Sequence, residues 1–254
     1  MTSSARTRIE QMREQGRQAI GTMVMSVDPM TTAIAGSVGL DFVVIDMEHG
    51  PLTIETVSRH VLAARSCGMI VFVRVLENRS TLIQAAMDAG ADGVIAPKVQ
   101  SVEDAQRLAL AVRYIPGGRG ACPTVLGAGF SYDNWDDYRQ TNNANVLAIP
   151  LIETVQGVEC VDQIMAVEGI DVAYFGRVDF AQDKGCALDA PEVLQAAISV
   201  RTAARAAGKL LMTVQFNSED ADLVVHNADL MLLRAAYNEI ATNHRARQAE
   251  QRRA

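Results

Sequence analysis

Short, almost continuous apolar runs recur along the chain at intervals of about 20–30 residues, and no other feature of the sequence constrains the fold as strongly. The runs lack the in-and-out alternation of half-buried strands, and such runs are typical of parallel strands that are buried on both faces. We predict strands at eight segments: Ile20–Met25, Phe42–Asp46, Ile70–Val75, Gly93–Ala96, Val146–Leu151, Val172–Phe175, Leu210–Val214 and Leu230–Leu233.

The stretches between these runs have the periodicity of amphipathic helices. The clearest of them predict helices at Ile54–Ser66, Ser80–Ala89, Ser101–Tyr114 and Pro191–Ala207. Alternation of eight strands with helices in 254 residues predicts an α/β fold, namely a (β/α)8 barrel that forms one domain over residues 1–254. A doubly wound sheet with additional strands is the alternative.

Two segments do not fit the simple repeat of strand and helix. Residues Pro116–Asn143 are long and rich in Gly, Asn, Asp and Tyr, and we expect them to form an excursion over one face of the barrel. Residues Asn238–Ala254 are polar and contain many arginines. We expect them to form a helix that packs on another subunit.

Charge and cysteine content limit the class of partner. The chain has 23 Lys and Arg against 30 Asp and Glu, a net charge of −7, which argues against general binding of nucleic acid or of an anionic membrane. We find no apolar run of about 18 residues and no signal-peptide pattern, so we predict no membrane span. The four widely spaced cysteines contain no CxxC pair and favour reduced thiols in a cytoplasmic protein.

Polar side chains follow several of the predicted strands, at the end of a barrel where active groups lie. These residues are Asp46, Glu48 and His49 after the second strand, Arg74 at the third, Lys98 and Gln100 after the fourth, Glu153 after the fifth, and Arg177 and Asp179 after the sixth.

Glu153 and Asp179 are the candidate metal ligands. Two carboxylates from neighbouring strand ends, with no His or Cys close in sequence, suit a hard octahedral ion such as Mg²⁺ or Mn²⁺. The alternative is structural: Glu153 would cap the following helix, and Asp179 would pair with Arg177.

His49 is the candidate base, because an imidazole moves protons near neutral pH and a carboxylate such as Asp46 can fix its tautomer. A purely structural histidine is the alternative at this position, and it is the interpretation that we adopt for the other three histidines, His60, His226 and His244.

Arg74 ends an apolar strand, and an anion, a ketone oxygen or a developing enolate would explain a cation there. A salt bridge to Asp46 or Glu48 explains it equally well. Lys98 is a candidate only for a structural contact or an anion contact.

Taken together, these residues resemble the HpcH/HpaI aldolase family, which comprises metal-dependent class II aldolases that act on pyruvate-derived 2-keto acids. The similarity covers most of the chain. It is carried by GLDFVVIDMEHGP (Gly39–Pro51), VRV around Arg74, GADGVIAPKVQSVEDA (Gly90–Ala105), RYIPGGRG (Arg113–Gly120), IPLIET ending at Thr154, and VEGIDVAYFGRVDFAQDKG (Val167–Gly185).

The resemblance implies roles for these residues. A divalent metal (Mg²⁺, Mn²⁺ or Co²⁺) would be held by Glu153 and Asp179, His49 would be the base with help from Asp46, and Arg74 would steady the keto oxygen and the enolate. The substrate carboxylate would be held by backbone N–H groups of the turn formed by Gly176, Arg177, Val178 and Asp179. The C-terminal helix would be exchanged between the subunits of a trimer of dimers, a homohexamer.

The activity implied is that of a carbon–carbon lyase that cleaves or forms 4-hydroxy-2-keto acids through a pyruvate enolate, with an aldehyde as the second small molecule. An oxaloacetate-type decarboxylase using the same enolate and a non-catalytic keto-acid-binding homologue are the alternatives. Two departures from the family pattern bear on the specificity or on the type of reaction. Leu151 stands where similar members carry glutamine, and Arg177 stands where they carry proline.

Overall fold

The computed structural model of the protein describes residues 4–214 and 219–252. Eight parallel strands form a closed barrel in which each strand pairs with the next in sequence and the last pairs with the first. This confirms the predicted (β/α)8 barrel, since a doubly wound sheet would be open. The strands are β1 (Ala19–Val24), β2 (Phe42–Asp46), β3 (Ile70–Arg74), β4 (Gly93–Ala96), β5 (Leu147–Ile152), β6 (Val172–Phe175), β7 (Leu210–Val214) and β8 (Leu223–Ala228).

Helices surround the barrel, and several begin where the sequence supplies a capping side chain. The hydroxyls of Thr53, Ser101 and Thr154 each accept a hydrogen bond from a backbone N–H three residues later. The helices are α1 (Ala5–Glu14), α2 (Met30–Ser37), α3 (Ile54–Ser66), α4 (Ser80–Asp88), α5 (Val102–Ala111), α6 (Trp135–Asn145), α7 (Val155–Glu159), α8 (Val161–Ala166), α9 (Arg177–Lys184), α10 (Pro191–Ala206) and α11 (Asp229–Gln251).

The prediction of the eighth strand was wrong. Leu230–Leu233 lies in the first turns of α11, and the strand is β8. Leu and Met favour helices, whereas the adjacent Val224 and Val225 are β-branched and favour strands. Periodicity alone does not separate a short apolar run in a helix from one in a strand, so the apolar start of an exposed helix was mistaken for a buried strand.

The excursion at Pro116–Asn143 lies at the N-terminal end of the barrel. Its 3-10 turn, Leu126–Ala128, packs against α4, and α6 packs against α1. The Arg6 guanidinium of α1 donates to the carbonyl of Ala144, just beyond the excursion. Within one chain this segment therefore faces away from the strand ends that carry the candidate site.

Two apolar cores hold the barrel together. One lies between the sheet and the surrounding helices, and the other fills the barrel, where Phe42 and Phe72 meet edge to face with ring centroids 5.6 Å apart. Helix α1 closes the bottom of the inner core with Ala5, Ile9 and Met12. Burial of these side chains is the main stabilising contribution to the fold.

An aspartate stands directly before each even-numbered strand, and its carboxylate accepts a hydrogen bond from a backbone N–H of the preceding odd-numbered strand. Asp41 accepts from Ile20 at 2.9 Å, Asp92 from Val71 at 2.8 Å, Asp171 from Ala148 at 2.8 Å, and Asp222 from Leu211 at 2.7 Å. This fourfold repeat ties adjacent strands together at the N-terminal end of the barrel.

Helix α11 has 23 residues, and none of them is buried. Its first half exposes large apolar side chains that include Leu233, Tyr237 and Ile240. The predicted polar helix at Asn238–Ala254 is the continuation of α11 as far as the structure describes it. None of the helices in the described part of the chain has the length and apolar character needed to cross a bilayer.

Candidate active site

The candidate site lies where β2, β3, β5 and β6 end, and a buried ion pair organises it. Asp46 and Arg74 are directly opposite each other in the register of β2 and β3. Arg74 donates two hydrogen bonds to Asp46, from Nε to Oδ1 at 2.8 Å and from a terminal nitrogen to Oδ2 at 2.7 Å. Asp46 is 0% exposed. This bidentate geometry fixes the plane of the guanidinium.

Asp46 also orders the turn that carries the candidate base. Its Oδ1 accepts hydrogen bonds from the backbone N–H groups of Glu48 at 3.1 Å and of His49 at 3.4 Å. The expected contact between Asp46 and the imidazole ring is therefore replaced by contacts to the backbone and to Arg74, because the short Asp-x-x-His span folds the carboxylate back onto its own turn.

Glu48 is the carboxylate that faces the imidazole ring. Its Oε2 lies 3.9 Å from Nε2 of His49 and 3.3 Å from a terminal nitrogen of Arg74. This oxygen is buried and accepts no hydrogen bond from the described residues. Burial raises the pKa of the Glu48 carboxyl group, and the negative charges of Asp46 and Asp179 raise it further. Arg74 and His49 act in the opposite direction and lower the pKa of Glu48. The side chain of His49 is 53% exposed, so the ring is accessible to a ligand.

Glu153 follows β5 directly and is 2% exposed. Its Oε1 accepts a hydrogen bond of 2.9 Å from the backbone N–H of Lys98, whose φ of 52° is in the left-handed region. Burial raises the pKa of Glu153 to about 7; the Lys98 hydrogen bond and Arg74 lower it, while Glu48 and Asp179 raise it. The cap of α7 is Thr154, so the capping role considered for Glu153 is wrong.

Gly176 leaves room for Glu153. A Cβ at Gly176 would lie 2.7 Å from both Cβ and Oε2 of Glu153, which is too close for any larger residue. The same glycine begins α9, and the first N–H group bonded within this helix is that of Phe180, to the carbonyl of Gly176. The N–H groups of residues 177–179 thus precede the helical ladder, and such groups bind anions.

Asp179 is half-buried in the first turn of α9, close enough to Glu48 and Glu153 to raise the pKa of both. Arg177, in the same turn, borders a cavity of about 660 Å³ between α10 and β7, together with Leu188 and Thr213.

Four carboxylates lie at this rim, those of Asp46, Glu48, Glu153 and Asp179, and the buried Arg74 pairs with two of them, Asp46 and Glu48. This surplus of negative charge fits a hard divalent cation. The described residues contain no group of three or more His, Cys, Asp or Glu side chains placed to hold a metal ion. The two carboxylates predicted as metal ligands, Glu153 and Asp179, would be an oxygen-only set of donors, as Mg²⁺ and Mn²⁺ prefer.

Sequence reasoning missed two features of the site: the Glu48 carboxylate beside the ring, and the backbone N–H of Lys98. Nothing in the sequence signals that a lysine adopts a positive φ. The histidine His60 is structural, as expected, because it bonds the Thr32 hydroxyl at 2.7 Å and the Ser26 carbonyl at 3.0 Å.

Comparison with known proteins gives a consistent result. Residues 19–235 match the family model described as HpcH/HpaI aldolase/citrate lyase. A hydroxypyruvate/pyruvate aldolase of Agrobacterium fabrum is 31% identical over 237 residues, which cover 91% of this chain and 88% of that protein. A 5-keto-4-deoxy-D-glucarate aldolase of Citrobacter koseri is 30% identical over 236 residues, covering 89% and 91%.

A solved structure shares both the sequence pattern and the architecture. It is an HpcH/HpaI aldolase/citrate lyase family protein of Burkholderia cenocepacia, 25% identical, with a TM-score of 0.86 over 94% of this chain and 99% of that one.

Proposed function

The chain belongs to the HpcH/HpaI aldolase/citrate lyase family and is an aldolase-type carbon–carbon lyase, and we propose that it cleaves or forms 4-hydroxy-2-keto acids through a pyruvate-type enolate. The observation that carries this proposal is the arrangement of one buried arginine among four carboxylates beside an accessible imidazole. Such a site binds a cation and an anionic ligand, and it can move one proton.

Glu153 and Asp179 would hold a divalent cation such as Mg²⁺, Mn²⁺ or Co²⁺, which when bound supplies Lewis-acid polarisation of the keto group. The raised pKa of Glu153 supports this assignment, because a carboxylate placed among other acids and away from water gains most from a bound positive charge.

The first turn of α9 would orient the substrate. The N–H groups of residues 177–179 would bind the carboxylate of the keto acid, aided by the positive end of the helix dipole. Arg74 would donate to the keto oxygen, and the same hydrogen bond strengthens as that oxygen becomes an enolate oxygen. Because Asp46 fixes the guanidinium on its other side, little reorganisation is needed when the charge develops.

His49 would accept the proton of the C4 hydroxyl. The O–H electron pair forms the aldehyde carbonyl, the C3–C4 bond breaks, and its electron pair becomes the enolate of pyruvate, which is then protonated at C3. Glu48 would stabilise the imidazolium through Nε2, so that Nδ1 carries the lone pair that accepts the proton. The separation of 3.9 Å is compatible with this role, since catalytic hydrogen bonds often tighten only in the complex.

The two departures from the family pattern bear on substrate choice. Arg177 would add one positive charge near the carboxylate-binding turn and favour a substrate with a second anionic group. Leu151, buried inside the barrel, would make the floor of the pocket less polar than in members with glutamine at this position.

We further propose that the chain works in the cytoplasm as a homohexamer built as a trimer of dimers. A 23-residue helix with no buried residue and with large apolar side chains exposed along its first half is stable only when it packs on something. Exchange of α11 between two copies would cover those side chains.

Retro-aldol cleavage measured as pyruvate released from 4-hydroxy-2-keto acids tests the proposal. We expect exhaustive chelation to abolish turnover and Mg²⁺, Mn²⁺ or Co²⁺ to restore it, and His49→Ala to slow cleavage by ~10²–10⁴, while His244→Ala on α11 has no effect on kcat. Activity that survives chelation would refute the metal role. Release of CO₂ from oxaloacetate without any aldehyde product would favour a decarboxylase instead.

A further inference from the structure

Met23 brings a thioether to the candidate site from inside the barrel. It lies on β1, opposite Val44 of β2 in the strand register, and it packs against the apolar core that fills the barrel. Val44 stands two residues before Asp46 on the same strand, so Met23 lies one layer of inward side chains below the pair of Asp46 and Arg74. Met23 is only partly buried.

The sulfur of Met23 contacts the arginine of the site directly. A terminal nitrogen of Arg74, Nη2, donates a hydrogen bond to Sδ of Met23 at a distance of 3.4 Å. The same nitrogen donates to Oδ2 of Asp46 at 2.7 Å. Because Nη2 carries two hydrogens, one of them is directed at a carboxylate and the other at a neutral sulfur.

The acceptors around Arg74 differ greatly in strength. Nε of Arg74 also donates to Asp46, at 2.8 Å, and Nη1 lies 3.3 Å from Oε2 of Glu48. A ligand oxygen that displaced either carboxylate would leave a buried negative charge without its partner, whereas a thioether is a weak acceptor that is readily replaced. Among the contacts that Arg74 makes with the described residues, the one to Met23 is therefore replaced at the lowest cost.

We propose that Met23 is a positioning residue, whose thioether holds one hydrogen of Arg74 in the unliganded protein and yields it to the keto oxygen of the bound 2-keto acid. The inference rests on the proposed function, in which Arg74 donates to that oxygen, and it identifies Nη2 as the donor. Methionine suits this role because its side chain is unbranched and flexible, so the sulfur moves aside easily. A strong acceptor at the same position would compete with the ligand.

Two substitutions test the exchange, because glutamine at position 23 offers a strong acceptor and leucine offers none. We expect Met23→Gln to raise KM for the keto acid by about tenfold with little change in kcat, since the ligand must displace a better acceptor before the reaction begins. We expect Met23→Leu to leave KM unchanged or to lower it. Met165→Leu, in the apolar core outside the barrel, is the matched control and should change neither constant.

Either variant alone can overturn the inference. A rise in KM of less than about threefold in a folded Met23→Gln protein would show that the keto oxygen does not compete for this hydrogen. A rise of more than about threefold in Met23→Leu would show that the sulfur holds the guanidinium in place and does not yield it. Circular dichroism shows whether each variant folds, and the next measurement does not depend on the glutamine variant.

An NMR measurement follows the sulfur itself and separates this inference from the proposed function. In protein that carries isotopically labelled methionine methyl groups, the resonance that is missing from Met23→Leu belongs to Met23. We expect pyruvate to shift this resonance when it is added to wild-type protein saturated with Mg²⁺. A protein that shows the shift but cleaves no 4-hydroxy-2-keto acid would refute the function and keep the contact. An active protein in which the resonance does not move would refute the exchange at Met23 and keep the function.

Discussion

The two ends of the barrel treat acidic side chains in opposite ways. At the N-terminal end, Asp171 accepts a backbone hydrogen bond and pairs with Arg6 and with Arg113, the latter at 2.9 Å. Asp41 and Asp222 likewise combine a backbone donor with an arginine. At the C-terminal end, Arg74 pairs with two of the four carboxylates, Asp46 and Glu48, and Oε2 of Glu48 is buried without a hydrogen bond from the described residues.

This difference assigns the acids at the N-terminal end of the sheet to stability and those at its C-terminal end to function. The paired acids at the N-terminal end stabilise the folded chain through these hydrogen bonds and ion pairs. At the C-terminal end, burial and the neighbouring carboxylates raise the pKa of Glu48 and of Glu153, so their charged forms are disfavoured in the folded chain. Such a cost is commonly found at active sites. The same substitution, acid to amide, should therefore have opposite consequences for stability at the two ends.

The largest effect is expected from Glu153→Gln. Loss of a ligand carboxylate should lower kcat by about 10³-fold, while the free energy of unfolding of the metal-free protein rises by roughly 2 kcal/mol at pH 8. The gain arises because an uncharged amide replaces a carboxylate held among other acids. Steady-state kinetics and urea unfolding measure the two changes, with the exposed Glu159→Gln as control. A less stable Glu153→Gln protein would contradict the comparison.

At the opposite end, Asp171→Asn should lower the free energy of unfolding by about 3 kcal/mol, because Arg6 and Arg113 lose a buried partner. The turnover of the molecules that remain folded should not change, since the site lies at the other end of the strands. Urea unfolding and active-site-normalised kcat measure this, with the exposed Asp137→Asn as control. A lower kcat with an unchanged free energy of unfolding would contradict the claim that acids at the N-terminal end serve stability and not turnover.

The pH dependence of stability sharpens the comparison. The pKa of Glu153 is about 7 in the folded chain against an ordinary value of 4.5, so between these values the folded chain binds this proton more tightly than the unfolded chain. Its contribution to stability is therefore present at pH 4.5 and is lost as the pH rises through 7, by roughly 3 kcal/mol in total. The free energy of unfolding of the metal-free wild type, minus that of Glu153→Gln, isolates the contribution of Glu153 at each pH. A difference that does not change with pH would contradict the raised pKa of Glu153.

The smallest effect is expected from Arg177→Pro. Removing the charge beside the carboxylate-binding turn should change the ratio of kcat/KM between substrates with and without a second anionic group by about tenfold, with little change in the metal concentration needed. Arg177→Leu separates the loss of charge from the rigidity of proline and should show the same shift. An unchanged ratio in both variants would mean that Arg177 does not select the substrate.

Much of the barrel could be predicted from the sequence, because strands buried on both faces have a distinct composition. The bounds of β2, β4, β6 and β7 agree with the prediction at both ends, and so do those of α3. The error at β8 has a local cause. Only residues 215–222 separate β7 from β8, so the expected spacing of strand, helix and strand fails there, and the next strong apolar run belonged to α11.

The candidate site was less accessible to sequence reasoning. The strand ends identified Arg74 and Asp46, and their pairing was among the alternatives considered. The sequence did not identify the carboxylate that lies beside the imidazole of His49, because the choice between Asp46 and Glu48 depends on how the turn folds back on itself. The donor to Glu153 is a backbone N–H, and no side-chain pattern reports which backbone groups face a site.

The position of helix α1 at the N-terminal end of the barrel has a consequence for the order in which the products leave. Because Ala5, Ile9 and Met12 of α1 complete the apolar core at the N-terminal end of the barrel, a ligand would reach the candidate site from the C-terminal ends of the strands. Under the proposed function, a keto acid bound by the buried Arg74 would lie deeper than an aldehyde beside the half-exposed His49, so the aldehyde would leave before pyruvate. We therefore expect pyruvate, released last, to inhibit competitively against the keto acid, because both bind the free enzyme. The aldehyde, released first, should inhibit non-competitively.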